Sequence, residues 1–482
     1  MITKTNAILM LMLFYVFCTS CFANVKDSVV KIFVTSTPPS YYTPWENQGI
    51  EQASGSGVVI SEKRILTNAH VVADASYIEV LLFGEAKRYE AKVMAVSHEA
   101  DLALLEVLDN EFFDGISAVS IGDLPKLQDQ VHVYGFPEGG EGLSVTKGVV
   151  SRIELRTYSH SQMDLLSMQI DAAINSGNSG GPVVKDGKVV GIAMQTLNKA
   201  ENIGHVIPTP VINHFLEDVA DGQYDGFPVD GTFFQKMNDT LLSYVGLEDD
   251  TGVYINEIIL GSPSDGILER GDVILEVDGR DIANDGSTLL REGLRVDQDY
   301  LIQMKQLGET IEFLVWRNGA KQKTLIPLNM KWGDHFLVKR PQYDQRPQFF
   351  IYGGLVFTPL TFNLLEAWGD EWYNDAPANY LNYYYYKEKE KAGEEVVVLD
   401  QVLNSKTVSE YSDFTSQRVV SVNGKKFKTF EEFFNLTSSV TTQFVNFGLE
   451  NSAVVIIPRE YHEQENENIL RLYNIPMDKN IN

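Results

Sequence analysis

Short hydrophobic or alternating segments, separated by Gly, Asn and Asp, dominate the chain between residues 25 and 211. Segments such as RILTNAHVV, YIEVLLF, DLALLEV and VHVYGF have the apolar or every-other-residue pattern of β-strands. The sequence KDGK (185–188) lies between two apolar runs, where Asp-Gly is a strong signal for a β-hairpin. Many short strands without long helical periods predict a β-barrel or a pair of packed sheets.

The hydrophobic pattern changes after residue 206. IPTPVINHFLEDV (207–219) has apolar residues at helical spacing and proline near its start, which predicts a helix. The turn-rich segment 221–231 and the polar, proline-containing segment 331–347 are typical of junctions between domains. A tyrosine run followed by KEKEK (383–391) predicts a helix with one packed aromatic edge and a solvated charged end, with a ligand site as the alternative.

Composition narrows the class of protein. The chain has 482 residues, of which 44% are hydrophobic and 22% charged, enough to build cores for about three domains. Its formal net charge of -27 argues against a nucleic-acid partner, because phosphate binding needs clustered Lys and Arg. The sequence contains neither a nucleotide-binding Gly-x-x-x-x-Gly-Lys-Ser/Thr motif nor a His-Glu-x-x-His zinc motif, so we predict no cofactor and no metal.

Residues 1–23 have a different character from the rest of the chain. Lys4 precedes an apolar run from Ala7 to Cys18 that is too short to span a bilayer, which predicts a secretory signal peptide cleaved after Ala23. Both cysteines, Cys18 and Cys21, fall in this segment, so the mature chain would have no disulfide and no thiol nucleophile. A buried N-terminal helix and a lipid-modified Cys21 are the alternatives. We expect export to the periplasm, with full secretion or an organelle as alternatives.

A glycine-rich segment, INSGNSGGPVV (174–184), contains two serines. It is either an ordinary loop or the setting of an exposed nucleophile, and a serine nucleophile needs a base that is held by a third group. His70 follows an apolar strand, and Asp101 begins another, where a buried carboxylate is costly unless it is hydrogen-bonded. A core histidine and an exposed turn aspartate are the structural alternatives. His98 lies in a polar turn and is a weaker candidate for the base.

Three motifs occur in the order His, Asp, Ser: TNAHVV, DLALL and NSGNSGGP. Together with GDLP, GFPEGG, VTKGVVSRIE and ENIGHVIPTPVI, they make the chain similar to the trypsin-like serine proteases of the Deg/HtrA family, and in particular to the plant-type branch. The resemblance implies a mainly β fold, in which a chymotrypsin-like double β-barrel protease domain is followed by two PDZ-like α+β domains. It divides the chain into a signal peptide (1–23), a protease domain (24–222), a PDZ domain (227–330) and a diverged second PDZ-like domain (346–475).

The resemblance also implies roles for individual residues. Ser179 would be the nucleophile, His70 the general base and Asp101 the group that orients it, while Ser176 would be a loop residue. The backbone N–H groups of Gly177 and Ser179 would form the oxyanion hole. The substrate pocket would have its base near Ala173 and its walls near Ile192, Ala193 and Met194. Alanine rather than an acidic residue at the base favours a small or medium apolar substrate side chain.

The two C-terminal units resemble PDZ domains to different degrees. The first has the pattern GSPSDG, GDVI and VDG within residues 251–282, whereas the second replaces the Gly-Asp turn by Ser-Gln-Arg ahead of RVVSVNGKKF. The carboxylate-binding loop of the first falls at Asp230, Gly231 and Thr232, where the family has apolar residues on either side of the glycine. An aspartate there would repel a peptide carboxylate, so we expect binding of internal strands or a regulatory contact. The alternative is that Asp230 points to water and changes nothing.

These features together predict an exported, ATP-independent serine endopeptidase that degrades unfolded or damaged proteins. Its expected partners are unfolded or partly folded protein substrates, peptide ligands of the PDZ domain and further copies of the chain, with the family implying a trimer or a multiple of trimers. A chaperone or peptide-binding scaffold with minor or regulated proteolysis is the alternative. A protease that cleaves a single signalling substrate differs only in its substrate range.

Overall fold

The computed structural model describes residues 25–138, 140, 142–194, 204–247, 251–405 and 407–481. The predicted signal peptide, residues 1–23, lies outside the described residues, and so do both cysteines. Two closed six-stranded barrels form the first part of the chain, and a six-stranded and a seven-stranded sheet, with helices and two small two-stranded sheets, form the rest. The predicted fold class, a mainly β double barrel followed by two α+β units, is confirmed.

The first barrel contains six antiparallel strands: β1 (Val29–Ser36), β2 (Glu51–Ile60), β3 (Arg64–Thr67), β4 (Ala75–Leu82), β5 (Tyr89–Ser97) and β6 (Leu102–Val107). They close in the order β1-β2-β3-β6-β5-β4. A single helical turn, α1 (Ala69–Val72), connects β3 to β4. Alternate residues of β4, namely Ile78, Val80 and Leu82, are buried inside the barrel, as the period of two predicts.

The second barrel contains β7 (Gln130–Gly135), β8 (Ser144–Thr157), β9 (Asp164–Ile170), β10 (Pro182–Lys185), β11 (Lys188–Met194) and β12 (Gly204–Pro208). It closes in the order β10-β11-β12-β9-β8-β7. The hairpin predicted from KDGK is confirmed, since Lys185 pairs with Lys188 and both turn residues have positive φ. The predicted helix is also confirmed as α2 (Thr209–Asp218), which buries Val211, Ile212 and Phe215 against this barrel.

The third unit is a sheet with the order β14-β15-β16-β20-β21, and β17 pairs with β16. Its strands and helices are β13 (Pro228–Val229), β14 (Thr232–Lys236), α3 (Asp239–Val245), β15 (Val253–Ile258), β16 (Val273–Val277), β17 (Arg280–Asp281), β18 (Ser287–Arg291), β19 (Leu294–Asp297), α4 (Asp299–Gln303), β20 (Thr310–Arg317), β21 (Ala320–Pro327) and β22 (Met330–Lys331). The predicted Gly-Asp turn precedes β16, and Arg317 Nε donates to the buried Asp272 carboxylate at 2.7 Å. Strand β14 is at one end of this sheet.

The last unit is a seven-stranded sheet with the order β28-β27-β26-β25-β24-β23-β29. Its elements are β23 (Phe349–Tyr352), β24 (Leu355–Pro359), α5 (Phe362–Glu366), α6 (Trp372–Asp375), α7 (Ala378–Tyr386), β25 (Val397–Val402), β26 (Gln417–Val422), α8 (Phe430–Ser438), β27 (Phe444–Leu449), β28 (Val454–Pro458), α9 (Arg459–Leu472) and β29 (Lys479–Asn480). Helix α7 carries the tyrosine run: Tyr380 and Tyr383 are buried, whereas Tyr386 is 80% exposed. The predicted helix with one packed aromatic edge is thus confirmed, but the charged run KEKEK (387–391) is not part of it, because the helix ends at Tyr386. In the described part of the chain, no helix combines the length and apolarity needed to cross a bilayer.

Candidate active site

His70 lies on α1, three residues after the end of β3. Its ring nitrogen Nδ1 is 2.8 Å from Oδ2 and 2.9 Å from Oδ1 of Asp101. A carboxylate accepts hydrogen bonds, so Nδ1 carries the proton and donates it to Asp101. The other nitrogen, Nε2, is therefore left as an acceptor in the neutral ring.

Asp101 is the residue immediately before β6, and its side chain is almost completely buried. Its backbone has a φ of 53°, a left-handed conformation that Asp tolerates better than most side chains. Oδ1 also accepts the backbone N–H of His70 at 2.9 Å, and the Asn68 amide donates to the Asp101 carbonyl at 2.8 Å. These bonds fix the carboxylate in orientation and, through it, fix the plane of the His70 ring.

The loop before β10 carries Ser179, and the side chain of Ser56 on β2 holds it. The Ser56 hydroxyl donates to the Gly177 carbonyl at 2.7 Å and accepts the Phe136 N–H at 2.8 Å. The backbone N–H of Ser56 donates to the Ser179 carbonyl at 2.8 Å. A strand of the first barrel therefore anchors a loop of the second, which brings the two barrels together at this point.

Two glycines are required by the close approach of this loop to its neighbours. At Gly180, φ is 82° and an added Cβ would lie 2.1 Å from the Ser56 carbonyl and 2.2 Å from Thr67 Oγ1. At Gly177, φ is 90° and an added Cβ would lie 2.5 Å from the Phe136 carbonyl. Thr67 ends the strand that leads to His70. The close approach of Gly180 to Thr67 therefore places the Ser179 loop beside the histidine.

The two candidate reactive atoms are the hydroxyl oxygen of Ser179 and the ring nitrogen Nε2 of His70. Among the described residues, Ser179 Oγ and His70 Nε2 are both buried and have no hydrogen-bond partner. They also form no hydrogen bond with each other. Likewise, within the described ranges no group accepts the backbone N–H of Gly177 or Ser179, whereas the N–H groups of Asn178, Gly180 and Gly181 are all bonded to carbonyls.

His70 and Asp101 shift each other's pKa in opposite directions. Burial lowers the pKa of His70, but the charge and hydrogen bonds of Asp101 outweigh burial, so the pKa is raised above 6.5. Burial raises the pKa of Asp101, but the charge and hydrogen bonds of His70 outweigh it and the pKa is lowered. Asp101 is thus ionised at neutral pH and stabilises positive charge on His70.

The residues predicted for the substrate pocket lie next to the Ser179 loop. Ala193 is buried on β11, and it accepts the Gly180 N–H at 3.0 Å while donating its own N–H to Gly181 at 2.9 Å. Ile192 and Met194 are buried on either side of it. Ala173 is exposed, and its carbonyl accepts a hydrogen bond from Thr146 at 3.1 Å.

The predicted peptide-binding loop of the first PDZ unit precedes β14. Asp230 is only 6% exposed, and its carboxylate accepts the Thr232 hydroxyl at 2.6 Å, so the alternative that it points to water is wrong. Burial raises the pKa of Asp230. Gly231 has a φ of 82° and packs against Ser262, and its carbonyl accepts the Ile259 N–H at 2.9 Å. The Asp230 carboxyl group is therefore buried within the predicted peptide-binding loop.

Two residues that shape this site, Ser56 and His160, are not marked by the sequence patterns. Ser56, in the segment SGSG, is buried between two glycines, a pattern that indicates close backbone contact but does not identify its partner. His160, in the turn between β8 and β9, has its ring centroid 6.2 Å from that of His70. No local sequence signal distinguishes His160, because its neighbours come from segments far away in the chain.

Comparisons with protein families cover most of the chain. The family described as trypsin-like peptidase domain matches residues 55–192. Families described as PDZ domain match residues 223–289 and 338–481. Among solved structures, an HtrA-type protease AlgW with decapeptide has 25% sequence identity and a TM-score of 0.48, over 64% of this chain and 96% of that chain.

Similarity to known sequences extends over nearly the full length of the chain. Putative protease Do-like 3, mitochondrial, of Arabidopsis thaliana is 38% identical over 467 residues, which are 95% of this chain and 80% of that protein. Protease Do-like 2, chloroplastic, of the same plant is 35% identical over 462 residues, 95% of this chain and 75% of that protein. These names give no support to the predicted periplasmic location. The chain belongs to the Deg/HtrA family of serine proteases, in the plant-type branch that joins a trypsin-like peptidase domain to two PDZ domains.

Proposed function

We propose that the endopeptidase activity of this chain is carried out by Ser179 as nucleophile, His70 as general base and then acid, and Asp101 as the orienting carboxylate. The observation that carries this assignment is the two-oxygen contact of Asp101 with His70 Nδ1, which leaves His70 Nε2 free. Ser179 Oγ is the neighbouring free hydroxyl, on a loop that contacts the strand before His70.

The reaction is acyl transfer in two halves. His70 Nε2 removes the proton from Ser179 Oγ as the oxygen attacks the substrate carbonyl, and it then gives that proton to the departing amine. In the second half, the same nitrogen takes a proton from water as the water oxygen attacks the acyl carbonyl, and it returns that proton to Ser179 Oγ as the ester bond breaks. The negative oxygen of each tetrahedral intermediate is stabilised by the N–H groups of Gly177 and Ser179, each of which contributes about 3 kcal/mol in such sites.

Ser179 Oγ and His70 Nε2 form no hydrogen bond in the described structure. We therefore propose that a rotation of the serine side chain or a small movement of its loop accompanies substrate binding and precedes attack. A chaperone or peptide-binding scaffold in which proteolysis is minor or regulated is the second candidate, and the observation that favours it is the missing hydrogen bond between Ser179 Oγ and His70 Nε2.

We propose that the substrate side chain lies near Ala173 and β11. Ala173, Ile192, Ala193 and Met194 carry no charge, which favours small or medium apolar side chains. Strand β14, at the end of its sheet, is the edge to which an extended peptide would add as a further strand. The buried Asp230 beside it disfavours a free peptide carboxylate and favours an internal segment.

The wider role that fits these features is ATP-independent degradation of unfolded or partly folded proteins. We place the domains at residues 24–222, 227–330 and 346–475, and we place the protein in an organelle, as the names of its plant relatives suggest for those proteins. The predicted signal peptide, residues 1–23, would direct the protein to that organelle. The family relationship leads us to propose a homo-oligomer, a trimer or a multiple of trimers.

Digestion of casein without nucleotide tests the proposed function. We expect purified residues 24–482 to cleave casein, and we expect cuts after small or medium apolar residues. The Ser179→Ala variant, which removes a single oxygen atom, should leave casein intact. Equal cleavage by both proteins would show that another protease or another nucleophile is responsible.

The pH dependence of kcat/KM should report the protonation of His70. Its pKa is raised in the folded protein by Asp101, so the active, neutral ring is lost as pH falls through a value above 6.5. We therefore expect the acid side of the profile to begin its decline above pH 6.5, measured with a fluorogenic peptide at constant ionic strength. A rate that does not fall between pH 8 and pH 6 would exclude His70 as the base.

A further inference from the structure

Four aspartates lie together where the first PDZ unit meets the protease domain, and we call Asp164, Asp230, Asp297 and Asp299 the aspartate cluster. At the start of α4, the Asp297 carboxylate accepts the Asp299 N–H at 3.0 Å. Helix α4 packs against β13, the strand immediately before Asp230. Asp164 begins β9 of the second barrel, and its carbonyl accepts the Gln303 side-chain amide of α4 at 2.8 Å. The cluster thus combines three residues of the PDZ unit with one of the protease domain.

Further hydrogen bonds hold the PDZ unit on the protease domain at this place. The Arg291 Nη1 group donates to the Leu124 carbonyl at 3.1 Å, and the Gln306 side-chain amide donates to the His214 carbonyl at 3.2 Å. His214 Nε2 in turn donates to the Lys305 carbonyl at 2.9 Å. The members of the aspartate cluster that come from the two domains are therefore held close to each other.

The negative charge of the aspartate cluster is not neutralised by the protein. Within the part of the chain that the structure describes, none of its four carboxylates forms an ion pair with a Lys or Arg side chain. Desolvation and the other three carboxylates of the cluster raise the pKa of Asp299 well above its ordinary value. Desolvation raises the pKa of Asp297 too, and the attraction of Lys236, at the end of β14, does not cancel this effect. Asp299 is nevertheless exposed, so a ligand can reach it.

Two buried amide oxygens on α4 and at its start also lack a hydrogen-bond donor. Gln303 is 7% exposed and Gln298 is 1% exposed, and across the described ranges neither side-chain oxygen has a hydrogen-bond partner. The Gln303 nitrogen is bonded to the Asp164 carbonyl, which fixes the amide and leaves its oxygen at the cluster. Carboxylates and amide oxygens are all acceptors, so this place has a surplus of acceptors over donors. A positively charged ligand that carries several N–H groups would satisfy them.

The spread of these acceptors favours a side-chain cation over a metal ion. Among the residues that the structure describes, no three His, Cys, Asp or Glu side chains lie close enough together to hold a metal. A Lys ammonium group has three donors and an Arg guanidinium group has five, so either can serve acceptors that stand apart. Strand β14 begins two residues after Asp230 and is the end strand of its sheet, where the main chain of a peptide ligand would add.

We propose that the aspartate cluster is a cation subsite of the peptide-binding edge, which selects internal segments of unfolded proteins that carry a Lys or Arg. The proposal rests on the proposed function of β14 as the edge that takes an extended peptide, and it names the segments that this edge takes. The peptide main chain extends the sheet at β14, and the basic side chain reaches Asp230 and Asp299. Because Asp164 belongs to the subsite, the bound segment lies against the protease domain. The cut falls elsewhere in the substrate, since the residues near Ala173 favour apolar side chains.

Peptide binding to the Ser179→Ala protein tests the subsite without any need for catalysis. The probes are fluorescent decapeptides of Ser, Thr and Val with blocked ends and one Lys, placed in turn at each position, and the same peptides with N-acetyl-lysine. By fluorescence polarisation, the best Lys peptide should bind about tenfold more tightly than its acetylated counterpart, because hydrogen bonds to a charged group are the stronger ones. Hydrogen exchange of the β14 amides should slow when this peptide is bound. Equal affinities for Lys and acetyl-lysine at every position would overturn the proposal.

Two substitutions that preserve side-chain shape locate the preference. Asp299→Asn and Asp230→Asn each remove one negative charge and keep an oxygen that accepts hydrogen bonds, so each should reduce the tenfold preference for Lys to about threefold. The two variants test the subsite independently, in case one of them does not fold. Asp186→Asn, in the exposed β10–β11 turn, is the matched control and should keep the full preference. A tenfold preference that survives both Asp299→Asn and Asp230→Asn would place the cation elsewhere and overturn the proposal.

Failure of the subsite can be told apart from failure of the proposed function. Labelling of Ser179 by a fluorophosphonate in the wild-type protein reports the catalytic assignment and does not depend on the aspartate cluster. If Ser179 labels and the peptides bind without a preference for Lys, the cation subsite alone is refuted. If no peptide binds and the exchange of the β14 amides is unchanged, both β14 as the peptide-binding edge and the subsite beside it are refuted, while the catalytic assignment stands.

Discussion

Ser179→Ala and His70→Ala should each reduce kcat/KM for a peptide substrate by about 10⁴ to 10⁶, and the double variant should be little slower than either. The serine hydroxyl has no base to activate it without His70, and the His70 ring has no proton to accept without Ser179. The two side chains therefore act as a unit, so removing both should lower the rate about as much as removing either one. Steady-state kinetics with a fluorogenic peptide, together with casein gels, would measure all three variants.

Ser176→Ala is the matched control for this experiment. Ser176 lies in the same loop, three residues before Ser179, and is exposed. Its backbone carbonyl accepts the Glu138 N–H at 2.9 Å, a bond that alanine preserves. We expect near wild-type activity from Ser176→Ala. A comparable loss in Ser176→Ala, or additive losses in the Ser179 and His70 variants, would contradict the proposed mechanism.

The parts of the fold that sequence patterns predicted are those with local causes. The hairpin at Asp186 and Gly187 follows from two residues that accept positive φ between two apolar strands. The buried faces of β4 and α2 follow from the spacing of their apolar residues. The assignment of His70, Asp101 and Ser179 as a triad came instead from the order of three motifs and the family they resemble.

Sequence patterns did not identify the contacts between segments that lie far apart in the chain. Ser56 holds the Gly177 carbonyl across 121 residues, and Tyr343 reaches the His160 carbonyl across 183 residues. A junction segment rich in polar residues and proline is typical of a solvated connection, and nothing in its local sequence identifies a docking partner. The orientation of Asp230 was equally undetermined, since its burial depends on how Thr232 and the neighbouring loop pack around it.

Asp101→Asn should reduce kcat by about 10³ to 10⁴ with little change in the fold. The asparagine amide would present an N–H₂ group or a single carbonyl oxygen where the carboxylate now contacts both Nδ1 and the His70 backbone N–H. If the carbonyl keeps the backbone bond, the N–H₂ group faces Nδ1 and forces the proton onto Nε2, the nitrogen that must accept from Ser179. The variant also loses the negative charge that stabilises protonated His70.

The backbone makes Asp101→Asn a well-matched substitution. Asp101 has a φ of 53°, and asparagine is one of the few residues that adopts this conformation readily. Asp186→Asn, at a φ of 51° in the exposed β10–β11 turn, is the control for the same chemical change away from the site. We expect Asp186→Asn to keep wild-type activity, with thermal unfolding showing both variants to be folded. If Asp101→Asn retained a substantial fraction of kcat, the carboxylate would serve only to pack His70. Neither its negative charge nor its placement of the proton on His70 Nδ1 would then contribute to the reaction.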